Sequence, residues 1–246
     1  MNNCFKIIVP FYNVEKWIGK TIKSVLLQDY DNYQCILAND MSTDDSLEIC
    51  RKLVGNNDKF VIVDNKDKKF SLKNIYDSCW GHTEEEDIIV ILDGDDFLAN
   101  KNVLTTLDKA YSTPNCWLTY GSYINLSNRQ EGKFASQIPE SIIANSDYRN
   151  YKWCTSHLRT FKSFLFKSIQ DKDFKDDSGE FFTITGDLAI MFPMLEMSGD
   201  HSYYLQEILY IWNDLNELND HKKDNRLQMT VEHQIRTREK YDRIVR

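Results

Sequence analysis

The chain has 246 residues, of which 41% are hydrophobic and 13% aromatic, enough to bury the core of one large α/β domain. Its net charge of −8 and pI of about 5.2 argue against a general nucleic-acid-binding protein. No apolar run approaches the length of a membrane span, and no signal-peptide pattern opens the chain. The six cysteines are scattered without a C-x-x-C pair, so we expect a soluble, cytoplasmic protein with reduced core thiols.

Short strands and helices alternate through the first half of the chain. Strands are predicted over 4–10, 33–38, 60–63 and 87–92. The intervening helices end near Leu26, Val54 and Trp80, and the first has an apolar stripe that includes Ile18 and Ile22. This alternation predicts a mostly parallel sheet with right-handed crossovers.

The second half has a less regular pattern. We expect a helix over 102–110, a strand over 116–120 and a mobile loop within 122–150. Residues 157–161 should lead into a helix, and a charged loop should cover 172–180. A buried helix over 186–197, a strand over 203–212 and a charged helix from about Arg226 complete the prediction. No repeat or long linker appears, so residues 1–246 are expected to form a single domain.

The stretch from Asp87 to Asp96 is an apolar strand that runs directly into three carboxylates, Asp93, Asp95 and Asp96. Carboxylates this close raise one another's pKa unless a cation shares the charge. Their hard oxygen atoms suit Mg²⁺ or Mn²⁺, especially when substrate phosphates bridge the ion. A solvated acidic turn is the alternative, but ligands of open α/β sheets bind at the carboxyl ends of strands.

Three segments, Ile7-Ile-Val-Pro-Phe-Tyr-Asn-Val-Glu15, Asn39-Asp-Met-Ser-Thr-Asp44 and Leu92-Asp-Gly-Asp-Asp96, together resemble the signatures of inverting family 2 glycosyltransferases. The resemblance implies a GT-A fold, with a Rossmann-like nucleotide-binding half over about 1–120 and an acceptor half over about 121–246. It continues more weakly through Thr185-Gly-Asp-Leu-Ala189, which resembles the region that supplies the family's catalytic base.

The resemblance also implies roles for individual residues. Asp95 would bind the metal directly, Asp93 would contact the ribose or reach the metal through water, and Asp96 would line the sugar or acceptor side. The nucleotide-binding positions would be Pro10, Tyr12, Asn13, Glu15, Asp40, Lys73 and Asn74. Packing is the alternative role for Tyr12 and helix capping for Asp40. Lys73 departs from the arginine that the family often has there.

Three histidines and one arginine are weaker candidates for the site. His221 is the predicted third metal ligand, with His201 as its competitor. A surface position is the alternative for either histidine, because motif matches of this kind often arise by chance. His157 and Arg159 are candidates to contact an anionic acceptor or a phosphate, and the alternative is an ordinary helix start.

These observations predict a metal-dependent inverting glycosyltransferase that moves a hexose from a nucleoside diphosphate, with UDP expected, to a hydroxyl of a glycan, lipid or protein. Asp187 would deprotonate that hydroxyl. A nucleotidyltransferase is one alternative, but that function would require a glycine-rich, basic loop after the first strand. Residues 10–15 instead contain an acidic residue and no glycine. A non-catalytic relative that binds sugar nucleotides is the other.

Overall fold

A single sheet organises the computed structural model, which describes residues 3–113, 115–217 and 225–246. The strands of the described residues are β1 (Phe5–Phe11), β2 (Tyr33–Asn39), β3 (Phe60–Asp64), β4 (Ile88–Ile91), β5 (Phe97–Leu98), β6 (Leu118–Asn125), β7 (Thr160–Lys162) and β8 (Ser202–Trp212). They lie in the order β3-β2-β1-β4-β7-β6-β8-β5.

Helices cover both faces of this sheet. They are α1 (Ile18–Leu26), α2 (Ser46–Val54), α3 (Phe70–His82), α4 (Val103–Tyr111), α5 (Glu140–Ala144), α6 (Ser163–Lys167), α7 (Gly186–Ser198) and α8 (Asn225–Arg236). Successive residues of β1 and β4 point to opposite faces, so one core packs against α1, α2 and α4 and the other against α3, α6, α7 and α8. None of the described helices is long and apolar enough to cross a membrane.

The parallel half of the sheet agrees with the prediction. β1 pairs in parallel with both β2 and β4, and β2 pairs in parallel with β3. Because all four strands run in the same direction, their carboxyl ends meet at one edge of the sheet. The segments after β1, β2 and β4, which the sequence marked as candidate sites, therefore lie close together.

The other half brings further segments to the same edge. β7 runs antiparallel to β4, β6 runs antiparallel to β7, and β8 runs parallel to β6. The residues before β7 and after β8 therefore lie beside the carboxyl end of β4. β5 pairs antiparallel with β8 and was not predicted.

Three predictions for the second half need correction. Residues 160–162, expected to lead directly into a helix, form β7 because β4 and β6 bind them on both sides. The strand predicted over 116–120 begins at Leu118 and continues to Asn125. The expected loop over 122–150 also contributes α5 and the buried side chains of Ile138 and Tyr148 to the fold.

Candidate active site

The acidic turn after β4 folds back tightly over β1. The amide of Gly94 donates to the carbonyl oxygen of Pro10 across 3.2 Å. A Cβ atom at position 94 would lie 2.4 Å from Phe11 Cβ and 3.0 Å from the same carbonyl, so only glycine fits. This close approach places Asp93 and Asp95 beside the end of β1.

A cavity of about 580 Å³ opens at this edge of the sheet. Seven of the sequence-predicted residues line it: Pro10, Tyr12, Asp40, Asp93, Asp95, Asp96 and Asp187. Both weaker candidates on the loop before β7, His157 and Arg159, also line it. The structure thus gathers residues that are far apart in sequence around a volume that suits a small-molecule ligand.

Asn13 and Glu15 are not among the residues that line the cavity. Asn13 Oδ1 accepts a hydrogen bond of 2.8 Å from the amide of Thr43. Glu15 Oε2 accepts one of 3.1 Å from the amide of Asp45, next to the start of α2. Both side chains therefore tie the loop after β1 to the loop after β2.

Lys73 and Asn74 are also absent from the cavity lining. Lys73 forms an ion pair with Asp77 one turn further along α3. Asn74 Oδ1 accepts a hydrogen bond of 2.6 Å from Asn65 Nδ2, and its own Nδ2 donates to the Phe70 carbonyl across 2.8 Å. In this arrangement both residues stabilise the start of α3.

The structure describes only one of the two histidines that were predicted as alternative metal ligands. His201 stacks on Trp117, with ring centroids 4.0 Å apart, and it does not line the cavity. Its Nδ1 atom lies 2.9 Å from the carbonyl oxygen of Asn115. His221 lies outside the described residues, so its role stays a prediction.

Asp40 is buried at the carboxyl end of β2 and caps α3. Its two carboxylate oxygens accept hydrogen bonds from the amides of Lys69, at 2.7 Å, and Phe70, at 3.1 Å. The ammonium of Lys68 lies 3.0 Å from the same carboxylate and 2.8 Å from the centre of the Tyr12 ring. Asp40 therefore has a capping role as well as a position in the cavity wall.

Asp96 is held from the opposite half of the sheet. Tyr210 Oη donates to its Oδ2 across 2.5 Å, and the amide of Asn213 donates to its Oδ1 across 2.7 Å. Burial raises the pKa of this carboxyl group well above its usual value, and the charges of Asp95 and Asp93 raise it further. Asp96 thus connects the acidic turn to the end of β8.

Trp212, the last residue of β8, and Asn216, four residues further on, were not among the individual site residues predicted from the sequence. Trp212 and Asn216 line the cavity, and Asn216 Nδ2 donates to Asp95 Oδ2 across 2.7 Å. The alternating pattern of 203–212 indicated a strand, but only the pairing of β8 with β6 brings its end beside β4. The sequence therefore indicated the strand β8 but not the neighbouring strand with which it pairs.

Asp187 lies in the first turn of α7, which packs closely against α3. A Cβ atom on Gly186 would lie only 2.9 Å from Leu72 Cβ, so glycine permits this approach. Asp187 Oδ2 accepts a hydrogen bond of 3.1 Å from Arg159 Nη1. The carboxylate is about one-third exposed, and the sequence-predicted base therefore reaches the cavity beside a buried guanidinium.

The donor atoms of the site suit a divalent metal ion. Asp93, Asp96 and His157 each offer a possible ligand atom, all within 4.8 Å of one another. Both oxygens of Asp96, however, already accept hydrogen bonds. Asp95, the predicted direct ligand, lies outside this group but lines the same cavity.

His157 fits a metal less well than the carboxylates do. Its Nδ1 lies 3.2 Å from Arg159 Nη2, and because a guanidinium only donates, Nδ1 must accept. The hydrogen of the neutral ring is then on Nε2, which leaves that atom without a lone pair for a metal. Burial and the charge of Arg159 also hold the pKa of His157 well below its usual value. The oxygen atoms of Asp93 and Asp95 therefore form the better donor set.

Comparisons with known proteins agree with this arrangement. Residues 6–170 match the family model described as Glycosyl transferase family 2. The chain is 28% identical over 136 residues to glycosyltransferase GlyG of Streptococcus pneumoniae, covering 54% of this chain and 43% of GlyG. It is 25% identical over 176 residues to the GalNAc(5)-diNAcBac-PP-undecaprenol beta-1,3-glucosyltransferase of Campylobacter jejuni, covering 70% of this chain and 54% of that protein. The chain thus spans about half the length of these relatives.

Solved structures share the fold. Staphylococcus aureus TarS 1–349 in complex with UDP-GlcNAc has a TM-score of 0.68 and 19% identity, covering 90% of this chain and 61% of that one. Glucosyl-3-phosphoglycerate synthase of Mycobacterium tuberculosis, in complex with Mn²⁺, UDP and glucosyl-3-phosphoglycerate, has a TM-score of 0.61 and 13% identity. The match covers 95% of this chain and 77% of that one. These likenesses confirm the expected GT-A fold.

Proposed function

Because this chain belongs to glycosyl transferase family 2, we propose that it transfers a sugar from a nucleoside diphosphate to an acceptor hydroxyl, with inversion at the anomeric carbon. One observation carries the proposal: a single cavity joins the acidic turn, with Asp93 and Asp95, to the carboxylate of Asp187. Asp93 and Asp95 suit a metal ion that would bind the donor phosphates, and Asp187 suits the acceptor hydroxyl.

UDP is the proposed nucleotide, since solved proteins of the same fold have been obtained with UDP-GlcNAc and with UDP and Mn²⁺. Pro10, Tyr12 and Asp40 lie in the cavity wall where the nucleoside would bind. Asp93 and Asp95 would hold Mn²⁺ or Mg²⁺. Such an ion stabilises the negative charge that grows on the diphosphate as the sugar–phosphate bond breaks.

On the acceptor side, Asp187 would remove the proton of the attacking hydroxyl. The hydroxyl oxygen forms the new glycosidic bond from the face opposite the diphosphate. The proton ends on Asp187, and the nucleoside diphosphate leaves with the electrons of the broken bond. Asp96, which Tyr210 and Asn213 hold rigidly, would line the sugar pocket.

The acceptor is proposed to be a hydroxyl of a glycan, a lipid or a protein. The name of the Campylobacter jejuni relative describes an oligosaccharide on an undecaprenol diphosphate. A lipid-linked oligosaccharide is therefore the first acceptor class to test. We place selectivity for the acceptor in residues 122–180, in the second half of the chain.

A panel of nucleotide sugars tests this function. Thermal shift with and without Mn²⁺ selects the donor, because a ligand that binds the folded state stabilises it more as the ligand concentration rises above its Kd. Release of the nucleoside diphosphate with candidate acceptors then measures transfer. We expect Asp95→Asn to abolish it and Asp187→Asn to lower kcat on the order of 100-fold or more.

Asp200→Asn, a change at an exposed ion pair with Arg243, is the matched control and should retain activity. If no nucleotide sugar binds in the presence of Mn²⁺, the proposed function is wrong. Release of pyrophosphate from a nucleoside triphosphate would instead support the nucleotidyltransferase alternative.

A further inference from the structure

We propose that Arg159 is a positioning residue that orients the Asp187 carboxylate for proton abstraction and connects it to the donor side through Asp93. The inference rests on the proposed function, in which Asp187 is the base. It adds a role for a residue that the sequence indicated only as a possible contact to an anion.

The guanidinium of Arg159 lies between the two carboxylates. Its Nη1 is 3.1 Å from Asp187 Oδ2, and its Nη2 is 4.0 Å from Asp93 Oδ2. Among the cavity-lining residues that the structure describes, only Lys68 and Arg159 are lysines or arginines, and Lys68 pairs with Asp40. Among the described residues that line the cavity, Arg159 is therefore the positively charged side chain that lies between Asp93 and Asp187.

Arg159 is itself held firmly in place. Its carbonyl oxygen accepts a hydrogen bond of 3.2 Å from the amide of Ile91, at the end of β4. Its Nη2 donates to His157 Nδ1 across 3.2 Å, and the His157 ring stacks on Tyr210 with centroids 4.3 Å apart. The side chain is 9% exposed, so few other orientations are open to it.

This rigidity matters because a general base must be held within hydrogen-bonding reach of the proton that it removes. A planar guanidinium fixes the direction of a carboxylate as well as its charge. Arg159 therefore acts on the reaction through the orientation of the Asp187 carboxylate, so its effect on kcat should disappear when residue 187 can no longer accept a proton.

A double-mutant cycle with Arg159→Gln and Asp187→Asn tests the proposal. We expect Arg159→Gln to lower kcat about 10- to 100-fold, as misplacement of a catalytic group does. In the Asp187→Asn background the same change should have almost no further effect. The Kd of UDP with Mn²⁺, measured by calorimetry, should change by less than about threefold.

Two further variants make the result interpretable. Arg159→Lys keeps the positive charge but loses the planar guanidinium, so it should give an intermediate kcat. Lys162→Gln removes a cation three residues further on, paired with Glu86 and absent from the cavity lining, and should keep full activity. If Arg159→Gln does not fold, Arg159→Lys in both backgrounds provides the same cycle.

Three outcomes would overturn the proposal. Losses that multiply in the double variant would show that Arg159 acts independently of Asp187. A tenfold or greater rise in the Kd of UDP would place Arg159 on the donor phosphates. If Arg159→Gln keeps the wild-type kcat while Asp187→Asn lowers it, the positioning role of Arg159 is refuted and the proposed function is not. Full turnover by Asp187→Asn would instead refute the base of the proposed function.

Discussion

Asn216 donates a hydrogen bond of 2.7 Å from Nδ2 to Oδ2 of Asp95, although the two residues are 121 positions apart. The contact joins the segment after β8 to the acidic turn after β4. Asp95, the proposed metal ligand, is therefore oriented by a residue from the second half of the chain. Metal ligands are commonly oriented in this way by hydrogen-bonding residues that do not themselves bind the metal.

Asn216→Ala should weaken the binding of UDP in the presence of Mn²⁺ by about two- to tenfold, the value of one hydrogen bond of about 0.5–1.5 kcal/mol. The measurement is a calorimetric titration. Asn145→Ala, which removes an exposed hydrogen bond to the Ser141 carbonyl at the end of the short helix α5, is the control. Equal losses in both variants would contradict a specific role for Asn216.

Asp40→Ala should affect both the fold and the nucleotide. The change removes the cap of α3 and, by our proposal, a hydrogen bond to the nucleoside. We expect UDP to bind more weakly by about 1–3 kcal/mol, together with a lower melting temperature. A lower melting temperature with unchanged UDP affinity would leave Asp40 only its capping role.

Much of the donor side was predictable from the sequence because it depends on local signals. Apolar runs that end in Asp40 and in Asp93 indicate strands, and the carboxyl ends of parallel strands converge. The structure adds that Gly94 and Gly186 permit close approaches to β1 and to α3. The predicted positions of Asp93, Asp95 and Asp187 in one cavity therefore follow from the β-α alternation and the family resemblance.

The remainder depends on pairing between distant strands, which no local pattern encodes. Tyr210 and Asn216 reach the acidic turn only because β8 pairs with β6 and β5. The family resemblance also implies that Asn13, Glu15 and Lys73 contact the nucleotide, and this stays a prediction. In the structure their side chains contact neighbouring loops or α3 and do not line the cavity, because the packing of a loop, which a motif does not encode, determines where its side chains lie.

Asp96→Asn should stabilise the protein in EDTA near neutral pH. Burial raises the pKa of Asp96 in the folded state, so the folded protein binds more protons than the unfolded chain above the usual pKa of about 3.9. Stability contributed by this group therefore falls as the pH rises, and an uncharged side chain avoids that loss. Thermal unfolding should show a higher melting temperature for the variant at pH 7.

The gain should shrink as the pH falls towards about 4 and disappear well below it, where the carboxyl group of Asp96 is protonated in both the folded and the unfolded state. The same variant should bind UDP with Mn²⁺ less tightly, because the site loses a negative charge. A melting temperature equal to that of the wild type at pH 7 in EDTA would contradict the proposed cost of the buried charge.

Glu196→Leu should destabilise the fold by about 3–5 kcal/mol, because it leaves a buried cation without its partner. Glu196 accepts hydrogen bonds of 2.6 and 2.8 Å from Arg149, and both side chains are at most 3% exposed. The pair connects α7, which carries Asp187, to the segment before β7. Denaturant unfolding measures the effect.

Asp200→Leu is the matched control for this ion pair, since its contact with Arg243 is exposed. We expect a change of less than about 0.5 kcal/mol there. If Glu196→Leu falls in the same small range, the buried pair contributes little to stability.

The binding of UDP to the wild-type protein and to Asp95→Asn, measured by calorimetry in Mn²⁺ and in EDTA, tests the central claim most directly. The claim is that the acidic turn holds a metal ion on a nucleoside diphosphate, and it needs no knowledge of the sugar or the acceptor. We predict binding in Mn²⁺ that weakens at least about tenfold in EDTA or with Asp95→Asn, the loss of about 1.4 kcal/mol or more. Absence of UDP binding, or equal affinity under all four conditions, would contradict it.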